Sequence, residues 1–71
     1  MITVKIGKTM GRISEYALEE GTSLRKALEV AGIEVTEGYE VRVNNEAVED
    51  LDREASNGDL ILLVKKIKGN K

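Results

Sequence analysis

The chain has 71 residues, with 13 acidic and 11 basic side chains for a net charge of -2, and it lacks histidine, cysteine and proline. That length makes one domain with a small core. The missing residue types exclude disulfides, the usual zinc, copper and iron–sulfur ligand sets, histidine-dependent triads and cysteine nucleophiles. The acidic balance and the scarcity of aromatic rings (two tyrosines) argue against a nucleic-acid binder. No apolar run approaches the ~20 residues that span a bilayer. The sequence opens on a strand-like pattern with no signal peptide, so a cytoplasmic location is expected.

Along the sequence, residues 1–6 alternate, with Ile2, Val4 and Ile6 on one side and Met1, Thr3 and Lys5 on the other. This is the period of a half-buried strand. Gly7-Lys8-Thr9-Met10-Gly11 reads as a hairpin turn in which the glycines supply positive φ. A return strand over 12–18 follows, and its inward side is ambiguous. Ser14, Tyr16 and Leu18 compete with Ile13, Glu15 and Ala17.

Gly21-Thr22-Ser23 opens a helix with Thr22 as the expected N-cap. Leu24, Ala27, Leu28 and Ala31 make one apolar stripe, with Arg25, Lys26 and Glu29 on the wet side. Gly32 stops the helix as a left-handed cap and lets Ile33 fold back. After a polar connection over 34–38, residues 39–43 alternate again, Asn44-Asn45 suits a tight turn, and 46–48 return as a short strand. Leu51 is expected to plug the core from a loop of acidic residues. Asn57-Gly58-Asp59 is the strongest turn signal. Residues 60–67 make the last strand, apolar for five residues, and Gly69-Asn70-Lys71 form a flexible tail behind a domain of residues 1–68.

The element order is β-β-α-β-β-β, an α+β arrangement. A continuous apolar run such as 60–64 suits a central strand. Placed between the first and third strands, it gives a mixed sheet with the helix on one face. Ile61 and Leu63 then point to the helix. Leu60, Leu62 and Val64 point away, flanked by Lys5 and Arg42, and these five residues form a candidate protein-binding face. Lys5, Lys8, Arg12, Lys65, Lys66, Lys68 and Lys71 are expected to gather on one side, where they could steer an acidic partner. The Glu49, Asp50, Asp52 and Glu54 cluster lacks the spacing and central glycine of a calcium loop. No catalytic residue, metal site or cofactor is expected.

With these residues in place, the sequence resembles the β-grasp (ubiquitin-like) fold. More narrowly, it resembles the bacterial sulfur carriers of thiamine and molybdopterin synthesis. The resemblance rests on Gly21-Thr22-Ser23-Leu24 with Ala31-Gly32-Ile33, on Val41-Arg42-Val43-Asn44-Asn45 with Val48, and on Gly58-Asp59 opening a last strand toward Ile67-Lys68-Gly69. It implies a monomeric, non-catalytic protein that works through other proteins. For a carrier it implies an E1-like activating enzyme acting on the C-terminal carboxylate. The carriers end in Gly-Gly. By ungapped counting from Gly58-Asp59, Gly69 takes the first of these positions, Asn70 the second, and Lys71 overhangs, so carrier chemistry requires trimming. Gly11-Arg12-Ile13 and Gly58-Asp59-Leu60-Ile61-Leu62 also resemble swapped-hairpin, DNA-binding dimers of the AbrB type. The well-formed helix and acidic middle stand against that reading.

Overall fold

The computed structural model describes residues 1–9 and 11–66. Its elements are β1 (Ile2–Lys8), β2 (Ile13–Leu18), α1 (Leu24–Val30), β3 (Tyr39–Val43), β4 (Glu46–Val48) and β5 (Leu60–Lys65). They form one mixed sheet in the order β2-β1-β5-β3-β4. β5 runs parallel to β1 and antiparallel to β3, so the most apolar strand takes the central place its composition predicts.

Register explains the core. Ile6 lies beside Ile61 and Ile61 beside Val43, a row of aliphatic side chains across three strands on the helix side. Val41 beside Leu63 forms the next row. Leu24, Ala27 and Leu28 of α1 close over them, and Leu24 and Ile61 have no exposed surface at all. Burying each large aliphatic here contributes roughly 1.5–3 kcal/mol. The phase of β2 is settled by its pairing: Ile2 faces Leu18 and Val4 faces Tyr16, so the even-numbered set looks toward the helix.

The long loop between β4 and β5 is held by the start of the helix. Leu24 N–H donates to the Arg53 carbonyl and Arg25 N–H to that of Leu51, both at 2.9 Å. Two of the free donors that every helix N-terminus carries are thereby satisfied. Leu51 packs against the core as expected, and Ala55, which sequence reading missed, is buried in it.

Two local expectations need correction. The N-cap is Ser23, whose Oγ accepts from Lys26 N–H at 3.1 Å, because the Thr22 hydroxyl instead donates to the Glu19 carbonyl at 2.6 Å. Gly7 is not a turn residue. It lies within β1, paired with Ile13, and β1 continues to Lys8. A Cβ on Gly7 would come within 2.7 Å of the Arg12 carbonyl oxygen and 2.8 Å of Ile13 Cα, so close approach of the returning strand, not positive φ, demands glycine. The helix stop follows the expected design. Ile33 N–H donates to Leu28 O and Gly32 N–H to Glu29 O, with Gly32 at φ +74.

This sheet, with β5 between β1 and β3 and a helix packed over one face, is a different architecture from the swapped-hairpin one.

Candidate functional site: the open face of the sheet

Alternation along β5 sorts its side chains. Ile61 and Leu63 are buried under the helix, whereas Leu60, Leu62 and Val64 are half-buried on the opposite face. The register extends that face across the whole sheet. Ile13 of β2, Gly7 of β1, Leu62 of β5, Arg42 of β3 and Ala47 of β4 stand side by side in one row. Because Gly7 has no side chain, Ile13 leans over it, and Ile13 keeps 47% of its surface exposed. Glu15, Lys5 and Leu60 line up in the next row on one side, and Glu40 and Val64 pair in the row on the other.

All five residues anticipated for this face thus lie on it. Arg42 is not a bare cation. Its Nε lies 2.7 Å from Glu40 Oε2, two residues along the same side of β3. A part-buried pair of this kind offers a partner both a donor and an acceptor. Lys5 stands directly opposite Glu15. The face is an aliphatic strip between two polar flanks of mixed sign. Ile13, Glu15, Glu40 and Ala47 were missed as members. The signal that finds them is the strand register, which is not carried by any one strand's sequence.

The basic residues divide. Lys8 pairs beside Leu63, Lys65 ends the neighbouring strand and Lys66 follows it, so these three share one end of the sheet with Arg12 at the hairpin. Lys5 sits lower, beside Leu60. Lys68, Lys71 and the anticipated tail residues Gly69 and Asn70 lie outside the described residues. The acidic loop is occupied structurally: Asp50 Oδ1 accepts from Asp52 N–H, and Asp52 pairs with Arg25 at 3.1 Å. Among the described residues no cluster of acidic side chains is arranged to hold a metal ion, and no helix is long and apolar enough to cross a membrane.

No protein-family model and no curated sequence matches the protein. Known structures do. SAMP1 from Haloferax volcanii matches with a TM-score of 0.72 over 96% of this protein and 99% of its own length, at 16% identity. A ubiquitin-like protein from the hyperthermophilic archaeon Caldiarchaeum subterraneum matches with a TM-score of 0.58 over 96% and 100% of the two proteins, at 14% identity. The sheet order, the single packed helix and these likenesses define a β-grasp fold. That fold is the ubiquitin-like one.

Proposed function

We propose that this protein is a cytoplasmic, non-catalytic binding module that docks another protein on the open face of its sheet. Leu60, Leu62 and Val64 are the anchors, and Lys5 and Arg42 stand at the flanks. One observation carries the reading: the central strand turns half-buried aliphatic side chains away from the helix as well as toward it. A sheet covered on one side only ordinarily turns polar residues outward. A contiguous apolar patch rimmed by polar groups is the usual anatomy of a protein interface.

The test is capture of partners from the protein's own host with tagged Leu62→Glu and Val64→Glu variants. Unchanged circular dichroism with loss of the captured partner supports the reading. Retained capture by both folded variants counts against it.

A second reading puts the working end at the C-terminus. It rests on the position of Gly69, which stands at the carriers' spacing from Gly58-Asp59. After trimming, an activating enzyme would adenylate the new terminal carboxylate with ATP, releasing pyrophosphate. Residues 67–71 lie outside the described part of the structure. Mass spectrometry of protein purified from its host separates the readings. A trimmed, ATP-dependent adduct supports the carrier, and an intact Lys71 terminus without adduct opposes it.

A further inference from the structure

We propose that Asn57 is a conditional deamidation site that β1 holds shut in the folded protein. The chemistry is intrinsic to the sequence. The peptide nitrogen of Gly58 attacks Asn57 Cγ and an N–C bond forms. The bond from Cγ to the Asn57 amide nitrogen, Nδ2, breaks, and ammonia leaves carrying the proton from the Gly58 nitrogen. Water then opens the resulting succinimide at either carbonyl, giving aspartate or isoaspartate, and no other reactant is needed. Glycine on the attacking side leaves the nitrogen unhindered. Asn57 is the one asparagine in the sequence that precedes glycine; Asn44, Asn45 and Asn70 precede Asn45, Glu46 and Lys71.

The fold ties both reacting groups to one residue. Thr3 N–H donates to Asn57 Oδ1 at 2.8 Å, and Gly58 N–H donates to the Thr3 carbonyl at 2.7 Å. Lys5 N–H donates to the Asp59 carbonyl at 2.9 Å just beyond. Ring closure requires the Asn57 side group to rotate and the Gly58 nitrogen to give up its proton, so both bonds to Thr3 must break first. Thr3 is the second residue of β1, next to the strand's N-terminal end. Release of that end alone therefore arms the site, as local openings do elsewhere in folded proteins. The isoaspartyl product then prevents closure, since its link adds a methylene to the backbone where the Thr3 register is set.

The experiment incubates the full-length protein in native buffer and in guanidinium chloride at the same pH and temperature. Intact mass follows amide-to-acid conversion, and peptide mapping assigns the position. Conversion at Asn57 is expected in denaturant, at least about tenfold slower in native buffer, the factor that loss of two hydrogen bonds supports. Gly58→Ala in denaturant is expected to slow conversion at Asn57 at least about tenfold, by crowding the attacking nitrogen. A native rate within tenfold of the denatured rate overturns the gating. Failure of Asn57 to convert in denaturant, or Gly58→Ala slowing it less than tenfold, overturns the site.

Discussion

Asn44 and Asp59, 15 residues apart in sequence, are joined through their side chains, with Asn44 Nδ2 donating to Asp59 Oδ1 at 3.0 Å. Asn44 Oδ1 meanwhile accepts from Leu60 N–H at 3.0 Å, and its own N–H donates to the Leu60 carbonyl at 2.9 Å. Asp59 is a buried carboxylate whose second oxygen accepts from Ser56 N–H at 2.8 Å. The link fastens the β3–β4 turn to the turn that launches β5. It gives a physical reason for finding valine-asparagine and glycine-aspartate together in one sequence.

Asp59→Ala should destabilise the fold by about 2–4 kcal/mol, because it removes the buried carboxylate that accepts hydrogen bonds from Asn44 and Ser56. Asn44→Ala should cost a similar amount, since it also forces alanine to hold a left-handed φ of +53. Urea denaturation of both single variants and the double variant checks this. The double should be less damaging than the sum by about 0.5–3 kcal/mol. Simple additivity would mean that the two residues act independently.

Two glycines should respond to alanine through different mechanisms. At Gly7 the new Cβ collides with the backbone of Arg12 and Ile13. Overpacking of this kind costs about 1–3 kcal/mol and should show as faster amide exchange along the β1–β2 hairpin. At Gly58 nothing lies within 4 Å, so the cost is that of φ +87 alone, about 1–2 kcal/mol. Its exchange changes should centre on the turn before β5.

At the helix start, Ser23→Ala should lower stability by about 1 kcal/mol. Thr22→Val should cost less, as its exposed hydroxyl bonds only the Glu19 carbonyl. Thermal denaturation of the pair decides between them. A larger loss at Thr22 would return the capping role to that residue.

On the open face, Leu62→Glu should change stability by less than about 1.5 kcal/mol, whereas Leu63→Glu, one residue along, should unfold the protein by burying an unpaired charge. Circular dichroism of the two variants reads the difference directly. Equal damage would mean that the face assignment is wrong.

Much of the fold is legible in the sequence. The alternation of β1 and β3, the apolar stripe of α1, the Gly32 stop and the two asparagine- and glycine-rich turns all depend on residues within a few positions of one another. The central place of β5 follows from five consecutive apolar residues that only a strand with neighbours on both sides can bury. The choice of Ser23 over Thr22 is not legible, because either hydroxyl can cap and the Glu19 carbonyl claims one of them.

The sequence by itself determined which segments become strands, helix and turns, since those preferences are short-range steric and hydrogen-bonding effects. Only the tertiary structure decided which side of β2 faces in, why Gly7 must be glycine, that Glu40 neutralises Arg42, and that Thr3 guards Asn57. Each of these depends on a register between segments distant in sequence, and register is set by how all five strands bury their aliphatic rows together under one helix.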